Sequence, residues 1–383
     1  MKKNIVPKIS KQNLKDRINL LNLTLTDLEE YLMTIGEPKF RAKQIFKWIH
    51  QRGIDDFKYM TDLSKDLRNV LEARCTVKAP EIIFEEFSKD GTRKWVVNVG
   101  LKDSIELVLI PDGNRLTLCI SSQVGCAVDC SFCATGKEGF SRNLNLSEII
   151  GQVWIAANSY GVPRSNTDRN ITNIVMMGMG EPLLNFQPVV DAMKIMTDDN
   201  AYGLSKRRVT ISTSGIVPEL NKLALVSDVS LAISLHAPND ELRDQLVPVN
   251  KKYPISELLE SANNYMESCN DKRVTTIEYI LINQINDSPE QAQELSELLF
   301  NFPCKINLIP FNSFPKSNYQ RPSRNRIKRF QKILQDNKFI TTIRSTRGED
   351  IFAACGQLVG QVNDKTHKKE RLARANLIKT ENL

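Results

Sequence analysis

The 383-residue chain has no apolar run approaching the roughly eighteen residues that a membrane-spanning helix needs. Its basic start, MKKNIVPKISKQNLKDR, is not followed by an apolar core, which argues against a secretory signal. Internal repeats and low-complexity tracts are also absent, which sets aside repeat architectures. Eight cysteines are too few for a disulfide scaffold in a chain this long. The expected protein is cytoplasmic, with no membrane partner.

What is present is unevenly placed. Four of the eight cysteines fall between Cys119 and Cys133, and in a reducing compartment such clustering points to metal or redox chemistry. A net charge of +7 is a modest excess, so its distribution says more than its size. Basic residues gather at 2–17, 204–208, 320–332 and 365–374. Together these stretches could form one electropositive surface suited to RNA; taken singly, each also reads as a solvated helix face.

Residues 24–75 carry helical signals. In TLTDLEEYLMTIG, Thr26 and Glu29 are spaced as a capping box and Gly36 as a stop. EPKFRAKQIFKWIHQRG and LSKDLRNVLEARC follow as helices, giving a small module that is basic on its polar face. KWVVNVG, SIELVLIP and RLTLCISS then read as consecutive strands of a meander. From residue 147 helical and strand patterns alternate through about six βα units, which predicts a parallel sheet wrapped in helices. Closed barrels, part-open barrels and doubly wound sheets share this pattern. In a barrel the site lies at the C-terminal ends of the strands.

SSQVGCAVDCSFCATG places Cys126, Cys130 and Cys133 in a Cys-x3-Cys-x2-Cys spacing with no fourth ligand nearby. Three thiolates can hold three irons of a 4Fe–4S cluster and leave the fourth open to an outside ligand. A zinc completed by a distant residue, or chance clustering, are the other readings; structural zinc sites are closed by four ligands. Phe132 is placed to shield such a cluster, and Gly125 and Gly136 to give the loop freedom at its ends. ITNIVMMGMGEP ends a strand with Gly178, Gly180 and Glu181 at its turn; Ser212, Ser234 and His236 (the latter two on one strand face) and Asn312 also sit at strand ends. Cys119 and Cys355 are unremarkable singly, and Glu106 faces away from Ile105 and Leu107 if its segment is a strand. Cys75, Cys269 and Cys304 match no motif and read as structural.

Cys-x3-Cys-x2-Cys with an aromatic before the last cysteine resembles the hallmark of the radical S-adenosylmethionine (SAM) superfamily. With MMGMGEPLLN, SLHAPND and AACGQL, the loop resembles one family within it, the RNA adenine C2 methyltransferases known as RlmN. The similarity runs in order from about residue 20 to 370. It implies an α/β fold, a partial (βα)6 radical-SAM barrel over 116–350. A helical accessory RNA-binding domain at 1–80 and a β meander extension at 81–115 would precede it. A segment at 351–383, with a methyl-carrier cysteine and a basic tail, would follow.

The resemblance further implies that Cys126, Cys130 and Cys133 hold a 4Fe–4S cluster whose open iron takes SAM. Gly180, Glu181, Ser212, Ser234, Leu235, His236 and Asn312 would contact that SAM. Adenine C2 is electron-poor and cannot attack a methyl sulfonium. The family instead methylates a cysteine, matched by Cys355, with one SAM. A second SAM, cleaved at the cluster, gives the 5′-deoxyadenosyl radical that activates that methyl group for addition to C2. Cys119 would then attack the Cys355 sulfur, form a transient disulfide and free the base, with Glu106 as proton acceptor. Thiols in such roles call for an electropositive, partly exposed setting, for which Arg344 and Arg347 are the nearby candidates. The implied substrates are 23S rRNA at the peptidyl-transferase region and the adenosine 3′ to the anticodon in some tRNAs. Flavodoxin would be a suitable electron donor, and the target base would leave its stack. A C8-specific rRNA adenine methyltransferase, a non-catalytic metal-containing RNA-binding protein and a radical SAM enzyme acting on a small molecule or peptide are the rival readings. The helical module and the continuous match favour C2.

Overall fold

The computed structural model describes residues 17–160, 171–269, 271–315 and 317–360. The basic tail at 365–374, and all but the last residue of the basic stretch at 2–17, lie outside them.

Ten strands of the described residues form one mixed sheet. In chain order these are β1 (Glu81–Phe87), β2 (Arg93–Asn98), β3 (Ser104–Asp112), β4 (Arg115–Cys119), β5 (Asn173–Met176), β6 (Val209–Thr213), β7 (Ser230–Ser234), β8 (Thr275–Leu281), β9 (Cys304–Pro310) and β10 (Thr341–Ile343). Spatial order follows chain order throughout. β1 to β4 are an antiparallel meander, and β4 to β10 are all parallel. β4 therefore belongs to both halves: Cys119 pairs with Val108 on one side and Val175 on the other. Helices 146–158, 186–197, 217–226, 255–268, 289–298 and 324–336 make the six parallel crossovers, as the alternating pattern predicts. Among the described residues β10 pairs only with β9, so the barrel stays open between β10 and β4.

Burial on both faces explains the composition of the parallel strands. All seven residues of β8 are buried, although one of them is Glu278. β1 is the exception that sequence reading passed over. EIIFEEF is exposed along nearly its whole length and pairs only with β2, so it carries no in–out alternation to recognise.

The N-terminal helices, Leu25–Thr34, Phe40–Phe46 and Lys65–Arg74, share a continuous apolar core with the barrel. Asn22 accepts from the Ser147 amide at 3.1 Å, the Trp154 indole donates to the Ile49 carbonyl at 3.1 Å, and Gln51 donates to the Asp199 carbonyl at 2.7 Å. Gly36 ends the first helix as expected, with φ at +81°. The N-terminal cap does not fall where expected. Thr24, not Thr26, is the cap, and its box partner is Asp27 rather than Glu29. TLTDLEE holds two overlapping boxes; the Thr24 amide bonds the Asp27 carboxylate at 2.9 Å, so the helix begins two residues earlier.

Replacing Thr24 with Ala should lower the unfolding free energy by about 1 kcal/mol, while Thr26→Ala should cost a few tenths at most, measured by urea denaturation. Equal losses at both positions would place the cap elsewhere.

Candidate active site

The cysteine loop follows β4. A short antiparallel hairpin, Gln123–Gly125 with Phe140–Asn143, closes its base, and the Cys126 amide donates to the Gly139 carbonyl at 2.8 Å. Gly125 is required there: φ is +76° and a Cβ would lie 2.0 Å from the Gly139 oxygen. Behind the loop, Val128, Phe132, Ala237, Leu246, Val247, Ile280, Ile282 and Phe311 form an apolar cluster of their own, against which the three cysteines pack. Phe132 meets the His236 ring edge-on, with centroids 4.7 Å apart.

Cys126, Cys130 and Cys133 all border a cavity of about 150 Å³. Burial pushes the Cys126 thiol up to about 12 and Cys130 well above its ordinary value, with neighbouring thiols adding to both. Thiolates here need a cationic partner. Yet among the described residues no group of three or more Cys, His, Asp or Glu converges on a point that could hold one metal ion. Three soft sulfur donors set around a hollow fit an iron–sulfur cluster better than a single closed zinc.

Strand ends form the facing wall: Gly178, Gly180 and Glu181 after β5, Ser212 and Ser214 at β6, Ser234 and His236 at β7. The glycines serve packing first, since a Cβ on Gly180 would meet Gln123 at 2.5 Å and one on Gly178 the Ile120 oxygen at 2.6 Å. Burial raises Glu181 against the Ser214 and Leu183 hydrogen bonds that favour its charge. Its oxygens accept from the Ser214 amide at 2.7 Å, the Ser214 hydroxyl at 2.6 Å and the Leu183 amide at 3.1 Å. The Thr213 side chain adds a further hydrogen bond that favours the charge, so this carboxylate is held by several donors at the cavity edge. His236 is not on a strand face with Ser234: β7 stops at Ser234, and His236 has φ +63°. That strained conformation turns the ring into the cavity, where Nδ1 accepts from the Ile280 amide at 3.1 Å. Burial drives its pKa down to about 3, so the ring is neutral with its proton on Nε2. Leu235 is fully buried in the main core and borders neither cavity described here; its amide donates to the Ile233 and Glu278 carbonyls at 3.0 and 3.1 Å, which leaves a ligand only the second lone pair of its carbonyl.

Arg243, which sequence reading missed, holds this wall together. Its fully buried guanidinium donates to the carbonyls of Leu235 at 3.0 Å, Ser214 at 2.7 Å and Ser234 at 3.1 Å, and to Asn250 Oδ1 at 2.6 Å. The one cue was an arginine inside the short helix DELRDQL, and no local pattern separates it from a surface charge.

A second, larger cavity of about 550 Å³ adjoins the first inside the barrel, lined by residues of every parallel strand from β4 to β10. Cys119 and Cys355 both line it, and so do Asn312, Arg115, Lys305 and Arg347. Cys355, Glu278, Arg344, Met177 and Ile309 border both cavities and form their common wall. Asn312 donates to the Cys355 carbonyl at 3.3 Å and borders only the larger cavity. The Ala134 amide donates to the Gly356 carbonyl at 2.8 Å and Thr135 to that of Leu358 at 2.6 Å, tying Cys355 to the cysteine loop. The electropositive, partly exposed setting expected for both thiols holds only in part. Arg344 does face Cys355 and Cys119, but Cys119 is buried, and that burial raises its thiol more than Arg344 lowers it. Arg347 instead pairs with Asp112 at 3.1 Å across the open seam. Glu106 borders neither cavity; nor does it face solvent. It is buried on β3 beneath the Val359–Gly360 backbone, with its carboxyl raised by that burial.

Arg243→Met should lower the unfolding free energy by on the order of 3 kcal/mol, because several buried carbonyls lose their donor. Arg243→Lys should recover only part of it, a point charge being unable to span four acceptors. Thermal and urea denaturation measure both, and an Arg243→Met variant as stable as wild type would refute the pinning role.

Two family models match the chain: the ribosomal RNA large subunit methyltransferase N-terminal domain over residues 18–77 and the radical SAM superfamily over 120–296. The dual-specificity RNA methyltransferase RlmN of Marinobacter nauticus is 58% identical over 93% of this chain and 96% of its own length. Its namesake from a Marinomonas species is 60% identical with the same coverage. The crystal structure of a radical SAM methyltransferase from Sphaerobacter thermophilus superposes with a TM-score of 0.81 at 43% identity, over 89% of this chain and 99% of that one. On this similarity in sequence, extent and fold, the chain belongs to the RlmN family of the radical SAM superfamily.

Proposed function

We propose that this protein methylates C2 of adenosine, in 23S rRNA at the peptidyl-transferase region and 3′ to the anticodon in some tRNAs. The observation that carries the reading is the pair of cysteines in one cavity, with Cys355 also facing the chamber of the three-cysteine loop. A carbon carrier must meet the SAM side and the RNA side in turn, and Cys355 alone of the two thiols borders both.

Cys126, Cys130 and Cys133 would hold the 4Fe–4S cluster, and Gly180, Glu181, Ser212, Ser234 and His236 would surround SAM. Leu235 contributes through its backbone, and Asn312 acts from the far side of Cys355. Bound there, cluster and SAM supply the one-electron chemistry and the methyl group that an electron-poor ring carbon requires, with two SAM molecules used per turnover. The chain's own part is to carry and release the carbon. Cys355 sulfur bears it. Cys119 sulfur then attacks Cys355 sulfur, the sulfur–carbon bond breaks, and its electron pair leaves with the carbon, which takes a proton. The product is the methylated base and a Cys119–Cys355 disulfide, reduced before the next turnover. Burial keeps Cys119 protonated at rest, so the attack needs Arg344 beside it to stabilise the thiolate. Glu106 acts as proton acceptor only with a displacement of the Val359–Gly360 segment that covers it.

Arg115, Lys305 and Arg347 at the mouth of the larger cavity, with the helical module, would grip RNA phosphates. Binding should then fall steeply with salt. A flavodoxin-type donor and a cytoplasmic setting agree with this chemistry, and no described helix is long and apolar enough to cross a membrane.

The full-length protein, reconstituted anaerobically with iron and sulfide and supplied with SAM and reductant, should yield 2-methyladenosine on nucleoside analysis of treated 23S rRNA and tRNA. 8-Methyladenosine without 2-methyladenosine would overturn the assignment. Cys119→Ala should accumulate a covalent protein–RNA adduct on denaturing gels, and free turnover by that variant would refute the role given to Cys119.

A further inference from the structure

A buried carboxylate that borders both cavities remains unused by this scheme. Glu278 sits in mid-strand on β8, is nearly inaccessible to solvent and borders both cavities. The parallel register sets it in a polar row across the barrel interior: Ser234 on β7, Glu278, Asn307 on β9 and Thr342 on β10. Thr342 donates to Asn307 Oδ1, and Asn307 Nδ2 donates to Glu278 Oε1 at 3.0 Å. That relay fixes the carboxylate plane. Oε2 is left with no hydrogen-bond partner among the described residues, a costly state for a buried acceptor unless a ligand completes it.

Arg344 stands next to it. Its charge is felt by Cys355 and by Glu278, and more weakly by Cys119. Its only side-chain contact of hydrogen-bond type among the described residues is to Met177 sulfur at 3.7 Å. The common wall therefore presents an acceptor, a donor and a thiol: Glu278, Arg344, Cys355. The Watson–Crick edge of adenine presents the complementary run: the N6 amino donor, the N1 acceptor, then C2.

We propose that Glu278 and Arg344 read the Watson–Crick edge of the target adenine, Glu278 Oε2 accepting from N6 and Arg344 donating to N1, so that C2 lies against Cys355. This inference rests on the RNA-methylation reading and names the specificity element of that site. The pair selects the carbon as well as the base, because C8 lies on the opposite edge of the ring. A guanine in the same pose would set its O6 against the carboxylate and be rejected. SAM also carries an adenine. The RNA base is favoured because the larger cavity that Glu278 borders is also lined by Arg115, Lys305 and Arg347, cations suited to the phosphates that flank an RNA base.

The test is a double-mutant cycle read by binding, with the full-length protein and an RNA hairpin carrying either adenosine or purine riboside, which lacks the 6-amino group, at the target position. Glu278→Ala should weaken the adenosine RNA by about tenfold. Purine riboside should weaken wild type by a similar factor, and Glu278→Ala should add no further loss to it. Glu278→Gln, which keeps an acceptor and the volume, should lose less and guards against misfolding, checked by thermal denaturation. Equal losses by Glu278→Ala on both RNAs, or none on either, would overturn the proposal. So would a variant that loses SAM binding in the reconstituted protein, by equilibrium dialysis, while its RNA cycle is additive. A wild type that fails to methylate RNA would instead sink the functional reading on which this rests.

Discussion

The structure depends on the parallel register of β4 to β10. Residues far apart in sequence arrive at one end of a sheet because each crossover returns the chain in the same direction, and each strand end contributes one or two polar groups. The cost of that arrangement is buried polarity. Thiols, carboxyls, an imidazole and two guanidiniums are gathered in a region where unpaired charge is expensive. Arg243 offsets part of it by donating to three strand-end carbonyls at once. The remainder is left to the ligands.

How much of this was legible in the chain varies with the range of the interaction. Cys126, Cys130 and Cys133 were plain because one loop carries the whole donor set. The βα alternation was plain because burial on both faces of a parallel strand leaves an apolar run. The cap at Thr24 was misread by two residues, since overlapping boxes differ only in which amide is satisfied. His236 was found for the wrong reason: a left-handed turn, not strand parity, aims its ring. Glu278 was passed over because its partner Asn307 lies 29 residues away on the next strand, and Arg243 because its partners are mostly backbone carbonyls of strand ends, which carry no side-chain signal. A lone charge inside an apolar strand, as in TTIEYILIN, was the signal available.

Two adjoining cavities of different character share a wall. One is narrow and walled by sulfur, glycine and small hydroxyls; the other is wide, with basic residues at its mouth. Cys355 belongs to both, and its segment is held from several sides, by Ala134, Thr135 and Asn312 and by Lys94, which donates to the Ile351 carbonyl. The Cys355 thiol is thus a fixed point between two chambers. In the carrier role proposed for it, little motion of the backbone would be needed, which matters because a misplacement of about 1 Å can cost a hundredfold in rate.

The seam between the first and last parallel strands is spanned by the chain that follows β10 and not by a sheet ladder. Asp350 accepts from the Ser88 hydroxyl and the Lys89 amide, the Gly348 amide donates to the Asp90 carboxylate, and Lys94 donates to the Ile351 carbonyl. Arg347 with Asp112 adds a solvent-exposed ion pair of a kind worth less than about 1 kcal/mol. A barrel finished mainly by side chains can part along that edge without breaking a single rung of its sheet.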